Sequence, residues 1–552
     1  MRAALELVKS NLKIVIVSKS LLGKAHTVMA EGGIAASLGD VDPEDNWKVH
    51  FNDTVVEGVY IGNWRMAELL AKEAPDRVYE LEKYGALFDR TPEGKIMQRA
   101  FGAHTYRRLC HVGDKTGMEL IRTLEDQVLH KNVTVLDETI ITKIFTSNGA
   151  VAGAVGLRIR DGKFVLIKSK ATLVATGGCG RLYHVTSNSW ESTGEGIALA
   201  FKAGATLRDM EMVQFHPTGM VWPPGVKGLL VTEGVRGEGG LLFNTKGERF
   251  MLRYSPKKKE LDARDVVARA IHNEIKEGRG TEHGGVYLDI RHKGAAFIKK
   301  KLPGMYDQFK DFAGVDITKE RMEVAPTVHY FMGGISVDAE TCATNVKGMY
   351  SAGEAAGGLH GANRLGGNSL ADILVFGRRA GIAMADYIKS SAPSTAINEN
   401  DVKKEVDRVK SYLKADGSNP YDIMSKLRDA MSEKVGIIRT GKDLVDAMEE
   451  IRALESQIGS IGVKGGLVFN QGLMACIELE NMLLVAKCIV MSALQRKESR
   501  GAHTRSDYPK KDPQLKLNIT CSYADGKVVL GTSSIAEMPE ALKSIVTPEV
   551  YG

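Results

Sequence analysis

Continuous apolar runs separated by glycine-rich turns dominate the first two hundred residues of the chain. Residues 2–9 read as the end of a helix, and KIVIVS at 13–18 is the apolar, β-branched run of a buried strand. A second run of this kind, at 171–176, ends in Gly177 and Gly178. A helix followed by a buried strand is the second half of a β-α-β unit, so the region predicts an open, largely parallel α/β sheet.

The pattern changes three times further along the chain. Shorter strands and a helical stretch at 266–277 suggest an inserted domain, after which α/β character returns at 348–385. The segment 390–400 has the composition of a linker, the apolar positions beyond it recur at helical spacing, and KLNITCSY with a later Val-Val-Leu run predicts a terminal hairpin. The predicted units are an α/β domain in two parts (1–213 and 330–389), an α+β insertion (214–329), a helical domain (401–503) and a short tail domain (504–552).

The composition excludes several classes of protein but does not by itself indicate a function. A chain of 552 residues with 43% hydrophobic and 26% charged residues is a soluble multidomain type, and 59 glycines favour a nucleotide-binding fold. The formal charge of +6 is too small to indicate nucleic acid, and the lysine runs 257–259 and 299–301 are interpreted as solvated faces. Six cysteines without a CxxC pair predict no metal site and a reducing compartment, and no apolar run reaches the ~18 residues of a membrane span.

Seven motifs occur in one order along the chain, and the first is a histidine-threonine pair, AHT at 25–27, close to the end of the first predicted strand. The others are QFHPTG at 214–219, TEGVRGEGG at 232–240, RDVVAR at 264–269, PTVHY at 326–330, HGANRLGGNSL at 360–370 and ESRGAH at 498–503. Together they resemble the flavoprotein subunits of succinate dehydrogenase and fumarate reductase. The resemblance implies a Rossmann-like FAD-binding domain with an inserted α+β capping domain, followed by the helical and tail domains.

The resemblance also implies how FAD is held. His26 would carry the flavin covalently on its 8α-methyl group. Further FAD contacts would come from the ends of predicted strands, the glycine-rich loops and the start of a helix: Ser18, Lys19, Thr27, Gly32, Gly33, Thr176, Gly177, Gly178, Glu195, Glu354, Ser369 and Leu370. Glu195 stands where the family usually has aspartate, an exchange that keeps the acceptor chemistry.

Succinate and fumarate carry two negative charges, so a closed site needs cations and hydrogen-bond donors at both ends, and arginine suits a carboxylate best. The resemblance places His216, Thr232, His329 and Arg364 around the dicarboxylate. It assigns proton transfer to Arg264, relayed through Glu233 and Arg236, although the residue types alone would favour a histidine. No resident metal is expected.

The motifs imply partner proteins and leave two alternative functions open. The resembling enzymes pass electrons to a separate iron-sulfur protein and then to membrane anchor subunits, which predicts peripheral attachment at the cytoplasmic face of the plasma membrane and no nucleic-acid partner. L-aspartate oxidase shares the arginine-rich motifs but typically lacks the flavin-linking histidine. A flavin-free binding or assembly protein is the other alternative.

The sequence lacks a G-x-G-x-x-G turn before the first predicted helix. We therefore expect the strand at 13–18 to lie beside a sheet position that no strand of this chain fills. We also expect a truncated start that leaves FAD retention by the chain in doubt.

Overall fold

The structure is a computed structural model that describes residues 1–391 and 396–550. Its α-helices are α1 (Arg2–Val8), α2 (Trp47–Glu57), α3 (Trp64–Lys83), α4 (Thr116–Leu129), α5 (Glu195–Lys202), α6 (Gly234–Gly237), α7 (Met251–Tyr254), α8 (Arg264–Glu274), α9 (Ala295–Lys301), α10 (Pro303–Ala313), α11 (Asn368–Ser390), α12 (Glu399–Lys410), α13 (Pro420–Lys434), α14 (Gly441–Glu455), α15 (Gln471–Gln495) and α16 (Glu540–Lys543). None of these described helices combines the length and the apolar character that crossing a bilayer requires.

The strands are β1 (Ile14–Val17), β2 (Ile34–Ala35), β3 (Gln98–Arg99), β4 (Leu109–Cys110), β5 (Val133–Leu136), β6 (Thr139–Ser147), β7 (Ala150–Arg158), β8 (Lys163–Lys168), β9 (Thr172–Val174), β10 (Leu207–Arg208), β11 (Val213–Met220), β12 (Leu241–Phe243), β13 (Val286–Asp289), β14 (Met322–Phe331), β15 (Gly334–Ser336), β16 (Met349–Ser351), β17 (Ala356–Gly357), β18 (Leu517–Ala524) and β19 (Lys527–Ser534). The mixed α/β class predicted from the sequence is confirmed.

The predicted parallel sheet is present as two separate pairs of strands. β1 pairs with β5 from Ile14 opposite Val133, and β9 pairs with β16 from Thr172 opposite Met349. Among the described strands, none is hydrogen-bonded between the two pairs, and β1 has no second neighbour, as expected. The pairs are joined by packing instead, because Ile14 and Tyr350 belong to one apolar cluster beneath α1 and α11. The open, largely parallel sheet expected from the sequence is therefore divided into two separate parallel pairs among the described strands.

The insertion is built on its own antiparallel sheet, in the order β11-β14-β13-β12. α8 lies against β11 and β14, and its apolar residues Val267 and Ile271 are buried in a separate core with Leu288 and Met322. The sheet carries two of the predicted substrate residues, one on β11 and one on β14, which places them at the boundary with the α/β region.

The helical region and the tail are both tied to the α/β region. α13, α14 and α15 pack on one another, and α15 also contacts α5. Residues 392–395 of the predicted linker lie outside the described residues, and α12 follows an Asn398 cap. The predicted hairpin exists as β18 and β19, but β18 pairs with β10 and so completes a five-stranded sheet, β17-β15-β10-β18-β19. The tail is thus held by sheet hydrogen bonds to the first region.

The ESRGAH motif forms a buried ion-pair network behind this junction. Arg496 donates to Glu211 at 2.6 Å and to Glu498 at 2.9 Å, and Arg500 donates to Glu498 at 2.8 Å. All four side chains are fully buried. Buried charges persist only when they are paired, so the motif acts as a structural link between α15, the segment after β10 and the tail.

Replacing Arg496 with methionine should destabilise the protein by about 3–5 kcal/mol, because two buried carboxylates lose their shared cation. Lys442→Ala is the matched control, since Lys442 makes a largely exposed i,i+4 pair with Asp446 and should change stability by less than ~0.5 kcal/mol. Denaturant unfolding of both variants measures the difference. Equal stabilities would contradict the structural role of the network.

Candidate functional site

A cavity lies between the sheet of the insertion and the start of α11. Its lining comes from the glycine-rich loop after the 3₁₀-helical residues 26–29, the segment after β3, the insertion, the loop before α11 and the first turn of that helix: Ala30, Glu31, Gly32, Gly33, Phe101, His216, Leu230, Thr232, Glu233, Arg264, His329, Arg364, Gly367, Ser369 and Leu370. All four predicted substrate residues and the predicted proton-transfer residue meet here. Arg236 is not among the lining residues and lies behind Glu233.

Arg364 is buried without enough acceptors. Its Nη1 donates to Ser369 Oγ at 3.2 Å, and its guanidinium lies 4.4 Å from the centre of the Tyr330 ring. Nε and Nη2 have no hydrogen-bond partner within the described part of the chain. Burial, together with the neighbouring charge of Arg264, lowers the pKa of Arg364 to about 9. A buried cation with two unused donors is a site for an anion.

Arg264 begins α8 and is connected to two other charged side chains. Its Nε donates to Glu233 Oε2 at 2.8 Å, and Arg236 approaches the same oxygen at 3.6 Å. The N–H of Gly102 donates to the other oxygen of Glu233 at 2.7 Å. Burial alone would raise the pKa of Glu233, but the two guanidinium groups and this hydrogen bond bring it below its ordinary value. The three side chains form a continuous buried Arg-Glu-Arg chain that reaches the cavity.

Two neighbouring histidines, His216 and His329, line the cavity, with their rings edge to face and ring centres 5.2 Å apart. His216 Nδ1 lies 2.9 Å from the carbonyl oxygen of Thr218, and His329 Nδ1 lies 2.8 Å from Ser187 Oγ. Burial, followed by the charges of nearby arginines, holds the pKa of both histidines well below the usual range. Each ring therefore has one nitrogen held by the protein and the other available to a ligand.

His26 lies beside this group but outside the cavity lining. Its ring centre is 6.3 Å from that of His329, and Asn188 Nδ2 lies 3.1 Å from its Nε2. Burial, followed by the charge of Arg181, lowers the pKa of His26 to about 4, so the ring is neutral. Thr27 follows it in a single turn of 3₁₀-helix at 26–29, which packs against α4.

The remaining predicted FAD residues gather at the carboxyl ends of the parallel strands. Ser18 and Lys19 follow β1, residues 175–178 follow β9, and Glu354 follows β16. A Cβ on Gly178 would lie 2.4 Å from Glu354 Oε1, so only glycine allows this approach. Burial raises the pKa of Glu354 to about 7, and its Oε1 accepts the N–H of Phe331 at 3.0 Å.

Lys19 and Glu195 are engaged with each other. Their charged atoms are 2.5 Å apart, and Lys19 also contacts Glu478 of α15 at 2.8 Å. Lys19 therefore connects Glu195, one of the predicted FAD contacts, to the helical region. The sequence did not indicate this connection.

The observed groups fit a flavin dinucleotide. Ala175 and Thr176 are exposed at the strand end. Gly367, with φ +82°, opens α11 without a side-chain cap, which leaves the first N–H groups of the helix, near Ser369 and Leu370, for an anionic group at the cavity. Strand ends with glycines, acceptor carboxylates and an uncapped helix start are what such a cofactor requires.

Several residues of the site were not among the predicted ones. Glu31 and Phe101 line the cavity, and Gln214 and Asn363 belong to the hydrogen-bonded groups around its arginines. The last two lie inside quoted motifs and could have been found there, whereas Phe101 belongs to no recognised motif.

Two further histidines form hydrogen bonds with the loop at 366–368, where α11 begins. His50 Nε2 lies 2.8 Å from Asn368 Oδ1, and His104 Nε2 donates to the carbonyl of Gly366 at 2.7 Å. Nothing in the sequence distinguished these single histidines from ordinary core residues.

Comparisons with known proteins agree with this geometry. Residues 1–370 match the family described as an FAD binding domain, and residues 424–544 match the fumarate reductase flavoprotein C-terminal family. A fumarate reductase (CoM/CoB) chain of Methanothermobacter marburgensis is 49% identical over 519 residues, covering 94% of each chain. The succinate dehydrogenase flavoprotein subunit of Coxiella burnetii is 39% identical, covering 96% of this chain and 93% of that protein.

A solved structure gives the same result for the fold. The flavoprotein chain in a mutant form of Escherichia coli quinol fumarate reductase superposes with a TM-score of 0.92 at 35% identity, covering 98% of this chain and 95% of that one.

His50→Gln should make the protein less sensitive to acid while keeping a donor to Asn368. Burial lowers the pKa of His50 to about 3 from 6.5, so the folded state resists protonation and stability is lost as the pH falls below about 6.5. At pH 5 this difference amounts to about 2 kcal/mol. Denaturant midpoints at pH 7 and pH 5 should therefore differ less for the variant than for the unmodified protein, and an unchanged difference would contradict the assignment.

Proposed function

Because the chain belongs to the succinate dehydrogenase and fumarate reductase flavoprotein family, we propose that it interconverts fumarate and succinate in the cavity between the insertion and α11. The family makes the protein an FAD-dependent oxidoreductase acting on a CH–CH bond. Which residues bind the substrate, hold the flavin and move the proton is our proposal.

The observation that carries the proposal is the excess of buried cationic and donor groups around one small cavity. Arg364 offers two donors without a partner in the described part of the chain, and Arg264, His216 and His329 converge on the same space. A dianion would pair with Arg364 and raise the depressed pKa values of the histidines toward protonation, so binding would strengthen the donors that hold it. Thr232 adds a hydroxyl at the cavity wall.

The insertion serves as a capping domain in this proposal. His216, Thr232 and Arg264 belong to it, His329 lies at its far edge, and Arg364 belongs to the flavin domain. A substrate that bridges them holds the two domains together and excludes water, which strengthens each electrostatic contact. The proposed boundaries remain 1–213 and 330–389, 214–329, 401–503 and 504–552.

FAD, when bound, supplies the acceptor or donor of the hydride. We propose that His26 is its covalent attachment point, supported by a neutral ring close to His329 and outside the substrate cavity. The residues at the strand ends and the start of α11 would hold the dinucleotide.

Reduction of fumarate needs one hydride on one carbon and one proton on the neighbouring carbon. Arg264 would donate that proton from a guanidinium nitrogen and recover it through Glu233 and Arg236, and succinate oxidation would use the same route in reverse. The 2.8 Å hydrogen bond from Arg264 to Glu233 supports the first step of this route, and Arg236 forms an ion pair with the same oxygen of Glu233 at 3.6 Å.

The electrons would be exchanged with a separate iron-sulfur subunit, with membrane anchor subunits reached indirectly, so that the chain lies at the cytoplasmic face of the membrane without entering it. The relatives differ in the partner that their names state: CoM/CoB for the Methanothermobacter protein and quinol for the Escherichia coli complex. Assaying fumarate reduction with a thiol pair and with a quinol, each in the presence of the co-purified subunits, would decide between these donors.

His26→Ser should abolish covalent attachment of the flavin. In the active unmodified enzyme, the peptide that contains His26 should be heavier by one FAD and remain fluorescent after denaturation. His184→Ser is the matched control, because His184 is a surface histidine that pairs with Asp429 at 2.7 Å. Release of all flavin from active enzyme on acid precipitation would refute the assignment.

Arg264→Gln should abolish turnover while dicarboxylate binding survives, because the group removed transfers the proton. Arg364→Gln should weaken binding as well as turnover, since a carboxylate left unpaired in a closed site costs several kcal/mol. Turnover and malonate binding, followed by flavin absorbance, separate the two effects. Wild-type turnover in Arg264→Gln would disprove the proton route.

A further inference from the structure

The three nitrogens of the Arg264 guanidinium have different surroundings. Nε donates to Glu233 Oε2 at 2.8 Å, and Nη1 donates to Gln214 Oε1 at 3.2 Å. Nη2 makes no hydrogen bond to any residue that the structure describes, and it lies 3.2 Å from where a Cβ on Gly366 would stand. Because Gly366 has no side chain, this nitrogen remains open at the cavity.

The amide of Gln214 can adopt only one orientation. Its Nε2 donates to Asn363 Oδ1 at 2.8 Å and to the carbonyl of Arg364 at 2.9 Å, so both of its hydrogens are used. Rotating the amide by 180° would set its NH₂ group against the N–H groups of Arg264 and its oxygen against two acceptors. Gln214 is fully buried, so water cannot compensate for those lost bonds.

The side-chain amide of Asn363, the next group along this chain of hydrogen bonds, is fixed in the same way. Its Nδ2 donates to Glu57 Oε1 at 2.7 Å and to Asp265 Oδ1 at 3.0 Å, which leaves Oδ1 to accept from Gln214. Glu57 belongs to α2 of the flavin domain, and Asp265 follows Arg264 on α8. Burial raises the pKa of Glu57 well above its ordinary value, and the charge of Asp265 adds to this effect. Both groups supply the acceptor oxygens that determine the direction of the whole chain of hydrogen bonds.

We propose that Gln214 and Asn363 are positioning residues that hold Arg264 with Nη2 toward the substrate, so that Nη2 is the atom that transfers the proton. This inference rests on the proposed function, in which Arg264 is the proton donor. Neither amide exchanges a proton itself. They act because the acceptor oxygens of Glu57 and Asp265, one in each domain, define the orientation of one amide, which then defines that of the next. The hydrogen bonds also cross the domain boundary, so Arg264 is aligned only when the two domains are in contact.

The competing explanation is that Gln214 merely supports the loop that carries Arg364. That role predicts weaker dicarboxylate binding and lower stability on substitution, with turnover reduced only in proportion. A positioning role predicts that kcat falls while dicarboxylate binding is kept. Displacing a proton donor by about 1 Å lowers the rate up to about 100-fold without removing any group that binds substrate.

The test replaces Gln214 with methionine, which has similar length but neither the acceptor nor the two donors, in the holoenzyme with its partner subunits. We expect kcat for fumarate reduction to fall about 10–100-fold, while KM and the malonate dissociation constant change less than about threefold. Gln98→Met is the matched control, because Gln98 is a similarly buried glutamine that donates to Ala36 in the flavin domain. It should keep wild-type kcat.

Gln214→Glu keeps an acceptor oxygen for Arg264 but loses the NH₂ donors to Asn363 and Arg364, so its kcat should lie between that of Gln214→Met and that of the unmodified enzyme. Gln214→Glu also tests the positioning role if Gln214→Met does not fold. The inference is wrong if Gln214→Met keeps wild-type kcat, or if malonate binding weakens as much as kcat falls.

Failure of the proposed function would look different. In that case Arg264→Gln itself would retain turnover, or the unmodified holoenzyme would not reduce fumarate, whatever the behaviour of the Gln214 variants.

Discussion

The site depends on an imbalance of charge among buried side chains. Arg364 and Arg264 are both buried beside the cavity, yet within the described residues only Glu233 pairs directly with either guanidinium there. The depressed pKa values of His216, His329 and Arg364 share two causes, because burial and neighbouring positive charge each disfavour the protonated form. An anionic ligand relieves this cost, and the distribution of donors around the cavity favours one with carboxylates at both ends.

The surrounding framework keeps that imbalance in place. Carboxylates that could neutralise the arginines are occupied elsewhere: Asp265 and Glu57 accept from Asn363, and Glu354 accepts from the backbone of Phe331. The ESRGAH network pairs its own charges, although it lies in the same fold. The structural arginines of that network are each paired with buried carboxylates, whereas Arg364 keeps two nitrogens without a partner in the described part of the chain and is therefore available to a ligand.

Polar contacts also connect the regions. Lys19 links the end of β1 to Glu195 and to Glu478 of α15, and β18 completes a sheet with β10. The Gln214 and Asn363 amides connect the insertion to the flavin domain. One apolar cluster, which includes Phe201, Leu484 and Cys521, joins the α/β region, the helical region and the tail, while buried hydrogen bonds determine how the insertion and the flavin domain meet at the site.

The amino-acid sequence by itself determined the elements and the residues of the chemistry. Local apolar patterns predicted α1, β1, α8 and the β18–β19 hairpin, because such patterns depend on side-chain periodicity along a single segment. The ordered motifs predicted His216, Thr232, His329, Arg364, Arg264 and Glu233, all of which line one cavity. The motifs also predicted His26, as the flavin attachment point, and its ring lies close to His329 and outside that lining.

Tertiary structure decided what each side chain faces. The parallel sheet is divided into two pairs, and the tail joins the first region, because strand pairing depends on residues hundreds of positions apart. His50 and His104, single histidines in the sequence, became supports of the loop at 366–368 only through packing. The nitrogen of Arg264 that faces the cavity follows from a chain of hydrogen bonds linking residues 57, 214, 264, 265 and 363. No local pattern can encode that chain, because each amide takes its orientation from a partner on another element.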